Sequence, residues 1–435
     1  YPLILAAAGA FNPDITVSAR FLHAILYGLN GFLFIFIAYT ATNRSLFALL
    51  AAGILYYSNE YLLDIHVYAW SEAPFITFML LTVLCFIKYT STQKLKWMYL
   101  AAIAMSLAVG TRYVGITLVP AVIVAYYIFS DLQIKKRIKH ALIISAISVI
   151  PLSIWLFRNL IIADTAVHRT LAYHPIDADS YQGLISSLHN FILPSTLTWW
   201  NNALELAVIL GIMTIFTVRL FRFILRDDRH GRDSLALAFL GLIAPFVYLV
   251  FLVFSKTYID ALTLFNHRLV SPMFIMLSLS AIAILYGYAK LAKNKAAWAV
   301  FLLCVLLVGR ANLGATIDAA FFKRANGLGL NAEAFHESPL LKALTGLDST
   351  QVLYSNGFRE IGFLTGNTTA SLPQKYDAVS KEQNPNYQSQ LDAMCKAAKS
   401  GKGLIVSLRL LKAWDIYPTE DEIDSACDLP IIYDA

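Results

Sequence analysis

Charge is scarce in this sequence. Only 14% of its 435 residues are Asp, Glu, Lys or Arg, against about 25% in an ordinary soluble domain. Hydrophobic residues make up 58%, and the mean hydropathy is +0.61. These values exclude a disordered chain, a collagen and a coiled coil, and they argue against a purely soluble globule. Cysteine is scarce too: four residues are too few for a disulfide framework. Cys85 and Cys304 sit in apolar runs and read as small core residues. Cys395 and Cys427 lie in a polar tail; they could pair if that tail is outside the cell, although their spacing does not demand it. There is no HExxH, no paired CxxC and no P-loop. A divalent metal is left open but not argued for, and no cofactor is assigned. The chain opens on Tyr1 rather than Met, without a signal-like start, so an N-terminal segment is expected to have been lost.

The charges that do occur are unevenly spread. Residues 1–313 hold 23 Lys/Arg against 13 Asp/Glu, whereas residues 314–435 hold 11 against 15. Two objects are expected: a long apolar basic part over 1–313 and a short polar acidic part over 314–435. A bilayer-crossing helix needs about 20 apolar residues, with shorter spans tolerated inside a bundle. Ten candidates follow: 16–41, 45–58, 73–90, 97–109, 113–130, 139–162, 203–222, 234–254, 269–290 and 296–313. Segment 3–11 is apolar but too brief to span.

Basic residues fix the expected orientation. Arg44, the Lys88–Lys96 region, Lys135–Lys139, Arg219–Arg232 and Lys290–Lys295 carry 16 of the 23 and fall on alternate sides of the ten spans. The positive-inside rule makes that side cytoplasmic. The net charge of +6 is thus an orientation signal, and no nucleic-acid partner is called for. A multi-pass protein of the cell (inner or plasma) membrane is expected, with membrane lipids as its surroundings. The tail and most histidines then fall on the outer face.

The tail reads as a small α/β domain. Val352–Ser355, Gly403–Leu408 and Leu429–Tyr433 read as strands, and Arg359–Leu364 as a short helix. Thr419 with Glu422 three residues on is a capping-box pattern opening a helix to Cys427. The Pro/Gln/Asn-rich stretch 373–389 reads as loop. Asn367-Thr368-Thr369 fits a glycosylation sequon, a pattern common by chance.

Five outer-face motifs stand out. In Tyr68–Phe75, Ser71 reads as an N-cap, Glu72 suits the helix dipole and Pro74 suits a first turn. The alternative is a carboxylate at the membrane surface with Glu60, Asp64 and His66 before it. In Gly110–Tyr113, Arg112 interrupts apolar sequence; it either snorkels or grips a phosphate. Asn266–Pro272 brings His267 and Arg268 to the start of the ninth span. Arg158-Asn159 stands near an outer helix end. The 40-residue loop 163–202 carries His168, Arg169, His174 and Asp177 and ends at Trp199-Trp200; loops of this length are usually functional.

Taken in order, these segments resemble the GT-C superfamily of membrane glycosyltransferases, most of all the protein O-mannosyltransferase-like and aminoarabinose-transferase-like branch. Tyr1–Leu5 (YPLIL) resembles its "PPLYPLLLA", and Ser18–His23 its "AARLLNAL". Tyr68–Phe75 resembles "YAxSEPLF", Val109–Ile116 "LTRYVGL", Trp155–Leu160 "WLLRNYL", and Arg268–Pro272 "RYLLP". Tyr354-Ser355-Asn356 and Leu364-Thr365-Gly366 resemble the start of the outer C-terminal domain in related members. The resemblance implies transfer of a sugar from a polyprenyl-phosphate carrier to a lipid, glycan or protein hydroxyl on the outer face, by inverting displacement. It implies a catalytic role for Glu72 and donor-phosphate contacts for Arg112 and Arg268, with Arg158, Arg169, Asp64, His66 and His267 as further substrate contacts. The family's principal base is an Asp in a loop that would precede Tyr1, so the first span and first outer loop are expected to be missing. Asp14 follows Pro13 and reads as an N-cap.

Two other classes compete. A transporter or flippase of lipid-linked glycans would show inverted repeats and midplane polar groups; no repeat is evident, and the polar groups cluster at the outer boundary. An assembly protein would not need Glu72, Arg112 and Arg268 to converge.

Overall fold

The computed structural model describes residues 1–12, 14–165, 171–192, 199–227, 231–260, 263–292, 295–347, 351–377, 382–409 and 415–430. The chain divides into two compact units. The first comprises residues 1–168, 175–256 and 263–320, and the second 169–174, 257–262 and 321–435.

The first unit is helical. It contains α1 (Pro2–Gly9), α2 (Ile15–Ala41), α3 (Leu46–Tyr57), α4 (Glu60–Val67), α5 (Glu72–Thr92) and α6 (Leu95–Thr111). A 3-10 turn over Tyr113–Thr117 leads into α7 (Leu118–Phe129), followed by α8 (Ile134–Ala163), α9 (Ala178–Ile192), α10 (Trp199–Asp227), α11 (Arg232–Tyr258), α12 (His267–Ala292) and α13 (Lys295–Asn326). All ten apolar segments are helical. Among the described residues seven helices are long and apolar enough to cross a bilayer: α2, α5, α8, α10, α11, α12 and α13. The pair α3 and α4 passes only together and is bent by 62°. Segments 95–111 and 113–129 are shorter apolar helices. The expected count of ten therefore includes three elements below spanning length. The chain is a multi-pass membrane protein.

Local chemistry sets the helix ends. Asp14 caps α2, accepting from the N–H groups of Thr16 (2.8 Å) and Val17 (3.3 Å). Asn59 caps α4 by accepting from Leu62 N–H at 3.2 Å, while its own amide donates to the Phe191 carbonyl at 2.8 Å. Ser71 differs from expectation: its backbone is already helical and its side chain makes no capping bond. Its hydroxyl instead lies 3.5 Å from Glu72 Oε2.

Buried aromatic and aliphatic side chains of α2 to α12 form one core. Small residues bring helices close. A Cβ at Gly241 of α11 would lie 2.6 Å from the Met276 carbonyl oxygen of α12, so only glycine permits that approach. Most of α8 stays unburied, as expected of a helix facing lipid. At the basic ends of these helices Arg232 forks onto Asp131 at 3.0 and 2.8 Å, and Thr90 donates to Asp233 at 2.7 Å. These bonds tie α5, α7 and α11 together at the end opposite Glu72.

The sequence reading draws the unit boundary at 313/314; the structure carries α13 to Asn326 and opens the second unit's main body at Phe321. That unit holds α14 (Glu333–His336), α15 (Pro339–Thr345), β1 (Val352–Ser355), α16 (Phe358–Thr365), β2 (Thr369–Ser371), α17 (Tyr387–Lys399), β3 (Gly403–Val406) and α18 (Glu420–Cys427). The three strands are parallel in the order β2-β1-β3. Leu353 pairs with Thr369 on one side and Leu404 on the other. One sheet face packs on Leu341, Leu344 and Ile361. The other packs on Leu372, Leu391, Met394 and the Cys395–Cys427 disulfide.

Several expectations for this unit change. β3 ends at Val406, not Leu408, because β1 ends at its partner Ser355. Beyond that point the Asn356 side chain takes over, accepting from Leu408 N–H at 2.8 Å and donating to its carbonyl at 3.3 Å. The stretch 373–389 is not all loop, since α17 starts at Tyr387. Leu429 and Pro430 are not in a strand, and the rest of that expected strand lies outside the described residues. The capping box at Thr419 and Glu422 is present.

Candidate functional site

Three elements deliver three charges to one point. Glu72 is the first residue of α5, where a carboxylate meets the helix's positive end. Arg112 sits between α6 and the 3-10 turn in extended backbone, φ −147° and ψ 134°. Its N–H closes α6 onto the Ala108 carbonyl at 3.0 Å. Gly115 makes this break possible: a Cβ there would lie 2.7 Å from the backbone of Ala108 and Val109. Arg268 is the second residue of α12.

Arg112 Nη1 and Arg268 Nε both contact Glu72 Oε1. Glu72 is only 1% exposed, while the guanidinium side chains are 16% (Arg112) and 38% (Arg268) exposed. Two cations against one anion leave a formal surplus of positive charge, open to solvent on the Arg268 side. Arg268 stacks over Trp70 at 4.8 Å, and Trp70 stacks on Tyr68 at 4.5 Å. Tyr248 of α11 donates to the Leu269 carbonyl at 2.9 Å, and the field of Glu72 reaches Tyr248, His23 and Tyr1. Tyr1 and His23 share a hydrogen bond of 3.0 Å.

The remaining expected residues separate into groups. Asp64 and His267 meet at 4.0 Å beside the cluster, and the His267 ring lies 5.2 Å from Tyr61. His66 is 3% exposed. It donates from Nδ1 to the Leu62 carbonyl at 2.7 Å and accepts at Nε2 from Asn30 at 2.9 Å, an arrangement of the neutral ring. Asn30 also donates to the Ala73 carbonyl at 2.9 Å and accepts from Thr77 at 2.7 Å. His66 and Asn30 thus fix the start of α5, one residue from Glu72. Arg158 lies apart, exposed on α8, over Trp155 at 5.0 Å. Arg169 and His168 lie outside the described residues. Among the described residues no group of three or more His, Cys, Asp and Glu gathers as for a metal ion.

Trp70, Tyr248, Asn30 and His23 join the site without having been singled out. Trp70 and His23 sit inside motifs already noted; Asn30 and Tyr248 are mid-helix polar groups in apolar runs, the signal that could have found them.

Residues 6–173 match the family model of dolichyl-phosphate-mannose-protein mannosyltransferase. The matched stretch includes Glu72 and Arg112 and stops short of Arg268. It is consistent with a GT-C type glycosyltransferase, and the helices above mark a multi-pass membrane protein. No curated protein matches the chain.

Proposed function

We propose that this protein transfers a sugar from a polyprenyl-phosphate donor to an acceptor hydroxyl on the extracytoplasmic face of the cell membrane. The observation that carries the reading is the convergence of Arg112 and Arg268 on buried Glu72. Such a pair of guanidiniums is suited to a phosphate, which Arg grips through its planar fork. Glu72 holds both in place and offsets their mutual repulsion. The matching family, named as a protein mannosyltransferase, supports mannose as the sugar and a protein hydroxyl as acceptor.

In the reaction the acceptor oxygen bonds to the anomeric carbon as the bond from that carbon to the phosphate oxygen breaks, inverting the centre. The proton of the acceptor passes to a carboxylate, and the bonding pair leaves with the polyprenyl phosphate. Charge grows on that phosphate in the transition state, where the arginines contribute most. Orientation is supported by the basic residues at the opposite helix ends and by the Cys395–Cys427 disulfide in the second unit, since disulfides persist in oxidising compartments. The 62° bend between α3 and α4 favours the runner-up, a flippase of lipid-linked glycans.

The test uses the full-length protein in proteoliposomes with radiolabelled polyprenyl-phosphate mannose. Arg112→Ala is expected to lower transfer about 100-fold or more, with partial recovery in Arg112→Lys. Unchanged transfer in Arg112→Ala rejects the role, and donor translocation without transfer selects the flippase. A cysteine introduced at Gln388 is expected to react with an impermeant thiol reagent from outside intact cells.

A further inference from the structure

The second unit contains a cavity of about 440 Å³ whose lining carries no charged side chain. That volume falls within the range of about 300–1,000 Å³ seen for small-molecule sites. Tyr354 of β1, Ser371 at the end of β2, and Gln390 and Met394 of α17 contribute to its walls, together with Gln374 and Asn384. The last two come from opposite arms of a chain reversal closed by the Tyr376–Gln383 bridge. The Asn384 amide donates to the Gln374 carbonyl at 2.8 Å and to Gln390 Oε1 at 3.0 Å. Among the described residues the Gln374 side-chain amide and Gln390 Nε2 make no hydrogen bond.

We propose that this cavity binds a neutral carbohydrate. The inference stands on the second unit alone and does not rest on the transferase reading. An ionic ligand would find no opposite charge in the lining. A carboxamide both donates and accepts, as does each sugar hydroxyl, so the Gln374 amide and Gln390 Nε2 match a hydroxyl-rich surface. Asn384 holds Gln390 in place, and the Ser371 hydroxyl is engaged, donating to the Leu372 carbonyl at 2.9 Å. The half-buried Tyr354 ring, resting on the buried Leu372 and Met394, offers apolar surface for the C–H face of a pyranose.

An extended peptide fits less well. It would add to the β2 edge, but β2 has three residues, and Pro373 follows closely with no N–H to continue a ladder. The walls are also preformed, which lowers the cost of binding. Cys395, next to Met394, ties α17 to α18 through Cys427. Lys375 N–H donates to the Ile416 carbonyl at 2.8 Å, and Asn384 N–H to the Lys375 carbonyl at 3.0 Å.

The experiment titrates the detergent-solubilised full-length protein with mannobiose, cellobiose and N,N′-diacetylchitobiose, followed by saturation-transfer NMR. An uncharged Ser/Thr-rich decapeptide is run alongside. Saturable binding of at least one disaccharide is expected, weakened about tenfold or more in Asn384→Ala and Gln390→Ala. Ala393→Trp, which fills the mouth from the exposed side of α17, is expected to abolish binding while mass spectrometry shows the disulfide intact. Sugar transfer is expected to be retained in Ala393→Trp, so that loss of transfer and loss of sugar binding are read separately. Failure of all three disaccharides, binding unaltered by Ala393→Trp, or saturable binding of the peptide alone would overturn the proposal.

Discussion

Arg268 lies over the ring of Trp70, its guanidinium carbon 4.8 Å from the ring centroid. The aromatic face holds the cation while its Nε reaches Glu72. The stack leaves Arg268 the more open of the two arginines, at 38% exposed against 16% for Arg112. A ligand approaching from solvent therefore meets Arg268 first.

This ordering separates the three charges by stability. Glu72→Gln strands two cations, one of them poorly hydrated, and is expected to cost about 3–5 kcal/mol. Arg112→Ala is expected to cost less, and Arg268→Ala least, because water reaches its site. Thermal unfolding of the three variants in one detergent checks the order. A loss in Arg268→Ala as large as that in Glu72→Gln would contradict it.

Gly115 controls where Arg112 sits. A methyl group there would press on the backbone of Ala108 and Val109 at 2.7 Å, so the 3-10 turn must move. Gly115→Ala is expected to lower sugar transfer about tenfold or more while most of the fold is kept. Equal activity in the variant and the wild type would show that the turn does not set the arginine's position.

The Cys395–Cys427 bond closes a chain separation of 32 residues. Its removal by Cys395→Ser is expected to cost the second unit about 2–4 kcal/mol. Reductant should lower the unfolding temperature of the wild type and leave that of the variant unmoved. A wild type indifferent to reductant would show the bond contributes nothing.

Glu420 gives the second unit a pH signature. Hydrogen bonds from Arg409 and Ser407 hold its carboxyl down to about 2, from an ordinary 4.5. The depressed value means that this stability is fully present above 4.5 and is lost as pH falls through about 2. Both partners are largely solvated, 61% and 48% exposed, so Arg409→Ala is expected to cost about 1 kcal/mol or less. The gap between variant and wild type should narrow between pH 4.5 and pH 2 in unfolding experiments. A gap that widens on acidification would reverse the sign.

Apolar run length was enough to locate every helix of the first unit that carries a span-like segment, because lipid accepts backbone only when its own hydrogen bonds are satisfied within the helix. The break at Arg112 was legible as a lone charge in apolar sequence, and the capping box at Thr419 and Glu422 as a local pattern. Short-range signals of this kind need no knowledge of the fold. They failed where the determinant was distant. β2 is three residues long and exists because β1 lies beside it. Asn356 ends β3 through bonds 52 residues away in the chain. The bond between His66 and Asn30, 36 residues earlier, left no mark in the sequence either.

The sequence by itself determined a membrane-embedded helical body with basic ends on one side, since hydropathy and charge are properties of each segment alone. Only the tertiary structure decided that Glu72, Arg112 and Arg268 share one oxygen, because residues separated by as many as 196 positions meet only when helix packing brings their ends together. The fold of the second unit likewise decided that Cys395 and Cys427 pair, which their spacing did not demand.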